Sequence, residues 1–209
     1  KEIGMNVIFA LDVDTWSANP KNIIESLPHE SRINLVNEDV INPETPEGYK
    51  YYKAQVESLL KSYPQITSIA VWIRNEGNSL WDFKPEQFPD SWRKEWSAIV
   101  NQHPELKDDR YAIKNFSVSK IITAFRKSLR ELNKENVKLY YGSWSWNYMI
   151  SANVLLPLDV AFIPLDWGIE PDTREPKEIL AKIGSERKII PVFWAQNDDG
   201  GFIGRPYTP

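Results

Sequence analysis

The sequence predicts an α/β fold in which parallel strands alternate with helices, arranged as part of a (β/α) TIM-type barrel. Three observations carry this expectation. Short apolar runs recur along the chain and are separated by segments of helical period. No run leads into a G-x-G-x-x-G turn or a G-x-x-x-x-G-K-[ST] loop, which a nucleotide-binding open sheet would carry. The runs end instead in acids and tryptophans, and a barrel builds its site from side chains at strand ends.

Five runs read as buried strands. Residues 5–11 (MNVIFAL) lead into Asp12, Val13, Asp14, Thr15 and Trp16. Residues 66–73 (ITSIAVWI) lead into Arg74, Asn75 and Glu76. Residues 137–141 (VKLYY) lead into Gly142, Ser143, Trp144, Ser145 and Trp146. Residues 160–164 (VAFIP) lead into Leu165, Asp166 and Trp167. Residues 188–194 (KIIPVFW) run through Trp194 to Asp198, Asp199 and a Gly-Gly pair. Residues 32–36 (RINLV) are a shorter candidate for a sixth strand.

Helical patterns fill the intervals. Thr45 offers an N-cap, Pro46 a first helical residue and Glu47 an early acid. Tyr49, Tyr52, Val56, Leu59, Leu60 and Tyr63 then recur on one face, and Pro64 stops the helix. Ser117 is expected to cap the next helix, which buries Ile121, Ile122, Phe125, Leu129 and Leu132. A short helix over Pro176–Ile183 carries Ile179, Leu180 and Ile183, with Gly184 at its end. Asn19 and Pro20 begin another through Ile23, Ile24 and Leu27.

Five or six strands are fewer than the eight of a closed barrel. Residues 1–209 are therefore expected to be a single catalytic domain, incomplete at both ends and belonging to a longer polypeptide. A long polar insertion near residues 81–114 holds Trp81, Trp92 and Trp96 among Pro85, Pro89 and Pro104. It reads either as a structured loop over the site or as a surface excursion with its own aromatic cluster.

Composition narrows the function classes. A net charge of -4 argues against a nucleic-acid partner. No apolar run is long enough to span a bilayer, so no membrane partner is expected. The absence of cysteine removes disulfides, thiol catalysis and zinc–thiolate sites. His29 and His103 lie far apart in polar stretches, with no H-E-x-x-H spacing and no G-x-S-x-G elbow. Neither a cofactor nor a metal is expected.

Candidate chemistry gathers at the strand ends. Glu76, flanked by Arg74 and Asn75 after a long apolar strand, is placed to act as general acid toward a leaving oxygen. The competing reading is a structural ion pair with Arg74. Glycoside hydrolysis needs a second carboxylate, and Asp166 and Asp198 are the candidates. Asp198 and Asp199 before two glycines also suit a plain turn. Asp12 and Asp14 share one side of their strand and read as sugar-hydroxyl ligands, as a cation site, or as a solvated strand end. Trp16, Trp144, Trp146, Trp167 and Trp194 recur at these ends, with Trp144 and Trp146 expected on one side. Their flat faces match the C–H faces of sugars, although burial is the plainer role for any one of them.

The stretch from Asn42 through Thr45, Pro46 and Tyr49, the helix ending at Tyr63 and Pro64, and the strand reaching Arg74-Asn75-Glu76 are together similar to the middle of bacterial glycoside hydrolase barrels of the α-glucuronidase-like kind. Trp194 through Gly200 looks like a late-strand active-site loop of such enzymes. Asn75-Glu76 also resembles the Asn-Glu acid pair of the large retaining-glycosidase clan. That clan places a glutamate on a late strand, where this sequence has aspartates.

The resemblance implies a glycoside hydrolase acting on a polysaccharide or oligosaccharide, with a secreted or periplasmic setting. Glu76 would be the acid and Asp166 or Asp198 its partner. Asp12, Asp14, Trp16, Arg74, Asn75, Trp144, Trp146, Trp167, Trp194 and Asp199 would bind substrate. The aspartate partner favours inversion. A non-catalytic carbohydrate-binding barrel and a divalent-cation-dependent hydrolase using Asp12, Asp14, Asp198 and Asp199 are the alternatives.

Overall fold

The structure, a computed structural model, describes residues 6–13, 20–35, 39–73, 83–166 and 176–193. The elements run β1 (Ile8–Asp12), α1 (Lys21–Ser26), β2 (Arg32–Asn34), β3 (Asp39–Ile41), α2 (Pro46–Ser62), β4 (Ser68–Ile73), α3 (Asp90–Gln102), α4 (Ala112–Glu131), β5 (Lys138–Ser143), α5 (Tyr148–Leu155), β6 (Ala161–Asp166), α6 (Pro176–Ile183) and β7 (Val192–Phe193). The α/β class read from the sequence is the one observed.

β1, β4, β5, β6 and β7 form one sheet in that spatial order, and every adjacent pair is parallel. Each neighbour is the next of these strands along the chain, so the described sheet has no reversal of direction. The short run at residues 32–36 does not join it. Arg32–Asn34 pairs antiparallel with Asp39–Ile41 in a separate two-stranded ribbon within the β1–β4 connection. The Arg32 side chain ties that ribbon to the end of α1 by donating to the carbonyls of Leu27 and Glu25.

Local chemistry explains the helices. Thr45 caps α2, its hydroxyl accepting from the Gly48 amide at 3.2 Å, and Pro46 opens the first turn. Tyr52, Val56 and Leu59 are buried, whereas Tyr63 lies at the C-cap and is 45% exposed. Ser117 does not cap α4. That helix begins at Ala112, and the Ser117 hydroxyl donates back to the Ile113 carbonyl one turn earlier. The sequence also hides α5, because Tyr148–Leu155 is apolar almost throughout and shows no polar face.

The two faces of the sheet differ. Ile69, Val71 and Ile73 of β4, Leu139 and Tyr141 of β5, and Phe162 of β6 join the large core, together with buried residues of α2, α3, α4, α5 and α6. The alternate residues, Ala70, Tyr140, Ala161 and Ile163, form a second cluster with Trp72 and Ile190 packed against it. Among the described residues, no helix residue belongs to that second cluster. Strand alternation thus divides the sheet into a helix-covered face and a face that no described helix covers.

The described part of the long insertion carries aromatic residues that join the main core. Trp92 is fully buried and Trp96 nearly so, in an aromatic cluster with Phe83, Phe88 and Phe116. Phe116 belongs to α4, so the described part of the insertion, residues 83–111, packs on α4 and contributes to the core. Trp81 lies outside the described residues.

Candidate functional site

Because the sheet is parallel, Asp12, Ile73, Ser143, Asp166 and Phe193 end their strands along one edge. On the helix-free face at that edge, three candidate side chains share a line. Asp12 is in register with Trp72, and Trp72 is in register with Gly142. The amide of Val13 donates to the Trp72 carbonyl at 3.2 Å, which continues the β1–β4 ladder one residue past Asp12. Trp144 follows Gly142 by two positions and meets Trp72 edge to face, with ring centroids 6.5 Å apart and planes at 79°. Both indoles are partly exposed, and Asp12 is half-buried.

Trp72 was absent from the residues read as functional, since its run looked uniformly buried. The signal was present: position 72 alternates with Val71 and Ile73, and its partner on the same face is the small Ala70. Counting by two from Ala70 therefore places the indole on the face opposite Val71 and Ile73.

Trp144 and Trp146 do not share a side. Trp146 is 5% exposed and belongs to the helix-side core. The reason is a change of backbone at the end of β5. The amide of Ser145 donates to the Ser143 hydroxyl, and the amide of Asn147 donates to the Ser145 hydroxyl. These are serine turns, so the period-two alternation stops at Ser143 and no longer relates residues 144 and 146.

A buried polar network braces this strand end. The Tyr141 hydroxyl donates to Asn115 Oδ1, while Asn115 Nδ2 donates to the Tyr148 carbonyl at 2.8 Å and to the Ser151 hydroxyl at 2.9 Å. Asn115 and Ser151 are fully buried, so α4 holds both β5 and the start of α5. Lys114, the neighbouring buried cation, lies 5.5 Å from the Tyr148 ring centroid. The segment carrying Trp144 therefore has a rigid support.

Asp166 closes β6 in register with Phe193 of β7. Asp14, Trp16, Arg74, Asn75, Glu76, Trp167, Trp194, Asp198 and Asp199 lie outside the described residues. Among the described residues no group of three or more His, Asp or Glu side chains is arranged to hold a metal ion. No helix among them is long and apolar enough to cross a membrane.

No known family model matches this chain, and no curated protein matches it.

Proposed function

We propose that the sheet is part of the wall of a (β/α) barrel that binds and hydrolyses glycans, its site at the C-terminal strand edge. The convergence of Asp12, Trp72 and Trp144 on the helix-free face carries the reading. Two indoles set nearly at right angles offer apolar walls to a sugar ring, and a carboxylate in the same row accepts hydrogen bonds from hydroxyls. A sheet without reversal, covered by helices on one face, suits a barrel wall whose other face turns inward.

Within this proposal Glu76, three residues past the end of β4, is the general acid, and Asp166 at the end of β6 is its partner. Strand order separates them by β5 alone. Neighbouring strands are about 4.8 Å apart, so β4 and β6 stand roughly 10 Å apart at their backbones. Inverting carboxylate pairs stand about 6.5–9.5 Å apart, a range compatible with that strand spacing. Asp198 follows β7, one strand further, which makes it the poorer partner for Glu76. The proposed step is protonation of the leaving glycosidic oxygen by Glu76, with Asp166 taking a proton from the attacking water.

The test is hydrolysis of a panel of neutral and acidic polysaccharides by the chain and by Glu76→Gln and Asp166→Asn, with the product anomer followed by NMR. The expected result is loss of at least ~100-fold in turnover for each variant, with glycan affinity retained. Glycan binding without turnover by the unsubstituted chain would replace hydrolysis with a binding role. Activity that survives both substitutions but not a chelator would move the chemistry to a metal. Failure of every glycan to bind would remove the carbohydrate reading.

A further inference from the structure

Gly142 lies in the middle of the site's floor, and the sheet itself does not require a glycine there. Its backbone is ordinary extended strand, paired with Trp72 on one side and Ile163 on the other. A glycine inside a strand weakens it and commonly marks the close approach of another group. Here the group is identifiable. A Cβ at position 142 would lie 2.2 Å from Trp72 Cε3, 2.5 Å from Trp72 Cζ3 and 3.0 Å from Ile163 Cγ1. The six-membered ring of the Trp72 indole thus occupies the volume where a side chain at 142 would begin. Trp72 has no flexible tip that could give way; the whole rigid ring must move.

The direction of that movement matters. Trp72 rests between the backbone of β5 on one side and the Trp144 ring on another. A methyl group at 142 lifts the indole off the sheet, changes its angle to Trp144 and fills the corner between them.

Resting on the glycan-binding reading above, we infer that Gly142 is a positioning residue that sets the depth of the Trp72–Trp144 corner and so decides whether a sugar ring fits. It touches no substrate and acts through Trp72, whose ring stands closer to position 142 than Ile163 does.

The experiment compares the unsubstituted chain with Gly142→Ala, Trp72→Ala and the double variant. Near-ultraviolet circular dichroism reports the indole pair. Calorimetry reports binding of two probes, xylohexaose as a neutral glycan and glucuronoxylan oligosaccharides as an acidic one. Gly142→Ala is expected to alter the indole signal and weaken whichever probe binds by about tenfold, the scale of one lost aromatic contact. The double variant is expected to bind as Trp72→Ala does, because with the ring gone a Cβ at 142 meets only Ile163 Cγ1, at 3.0 Å. If Gly142→Ala does not fold, the double variant and Trp72→Ala still decide the matter. A further tenfold loss in the double variant overturns the inference, as does a folded Gly142→Ala with unchanged dichroism and affinity. The glycan-binding reading fails differently: neither probe binds the unsubstituted chain, or Trp72→Ala binds as well as it. In that case the dichroism alone settles whether Gly142 places Trp72.

Discussion

Trp92 Nε1 donates to Glu44 Oε2 at 2.7 Å, joining residues 48 positions apart in the chain. The other carboxylate oxygen of Glu44 is 3.0 Å from Lys120 Nζ, and Lys120 also contacts the Glu95 carboxylate. The Lys120 side chain is 6% exposed and its ammonium lies 4.9 Å from the Phe116 ring centroid. One buried cation therefore links the loop before α2, the insertion helix α3 and the core helix α4. This linkage adds a polar tie to the aromatic packing that joins the insertion to the core.

Lys120→Met should accordingly destabilise the protein by about 1–3 kcal/mol, because two carboxylates lose their shared cation while remaining partly hydrated. Glu44→Gln should cost less, about 1 kcal/mol, since the amide oxygen still accepts from Trp92. Urea unfolding of both variants checks the order. Equal losses would show that the charge, not the indole hydrogen bond, holds the insertion.

Arg187 predicts a larger loss. Arg187 is 4% exposed, and its guanidinium donates five hydrogen bonds, to Asn153 Oδ1 and to the carbonyls of Asn153, Leu156, Pro157 and Val160. Four of these acceptors are backbone groups at the end of α5 and the entry to β6, where helix-terminal carbonyls need partners, and Pro157 also accepts from the Val160 amide. Arg187→Met should cost about 3–5 kcal/mol, and Arg187→Lys somewhat less because an ammonium has three donors and no planar fork. Burial pulls the guanidinium down to about 10, and Asp159 opposes the shift. The group is still a cation at pH 6 and at pH 8, so the deficit should be the same at both. A deficit that changes between those pH values would contradict this account.

The Lys53–Glu131 pair joins α2 to α4 with a 2.8 Å ion pair and titrates from both sides. The hydrogen bond from Lys53 lowers the Glu131 carboxyl below its ordinary 4.5, and the same bond raises Lys53 above its ordinary 10.5. The glutamate's contribution is full above 4.5 and is lost as pH falls through its depressed value. The lysine's contribution is full below 10.5 and is lost as pH rises through its raised value. Lys53→Met should therefore flatten the acid limb of the stability profile below pH 4.5 and leave its mid-range shape unchanged. An acid limb identical to the unsubstituted protein's would remove this pair from acid unfolding.

These contacts show where sequence reasoning reached and where it stopped. Thr45, Pro46 and the spacing from Tyr52 to Leu59 specify α2 locally, so its cap and buried face were legible. The main-sheet strands were legible as apolar runs, because a parallel sheet buries both faces. α5 was not, since a helix buried on most sides has no polar stripe to reveal its period. The fate of residues 32–36 depended on a pairing with Asp39–Ile41 that no local pattern encodes. At the candidate site, Asp12 and Trp144, both read from strand-end position, lie on the same face as Trp72. Trp146 was misplaced because counting by two was carried past Ser143, where the serine turns end the strand. Trp72 needed the opposite step, counting by two inside a run that looked uniformly apolar.

The divergence of Trp144 and Trp146 provides the sharpest separation of site from core. Trp146 is almost fully buried among helix-side residues, so Trp146→Ala should create a large cavity and cost about 3–5 kcal/mol. Trp144 is partly exposed and its ring meets Trp72 on the other face, so Trp144→Ala should cost about 1 kcal/mol or less. Glycan affinity should follow the reverse order. Trp144→Ala should weaken the glycan that binds by about tenfold, through loss of one aromatic wall. A folded conservative variant, Trp146→Phe, should bind that glycan as the unsubstituted chain does. Thermal melts and calorimetry on the same three preparations give both orders. If Trp146→Phe is folded yet loses affinity while Trp144→Ala keeps it, the glycan contacts the helix-side core segment, and the helix-free face is not the binding surface.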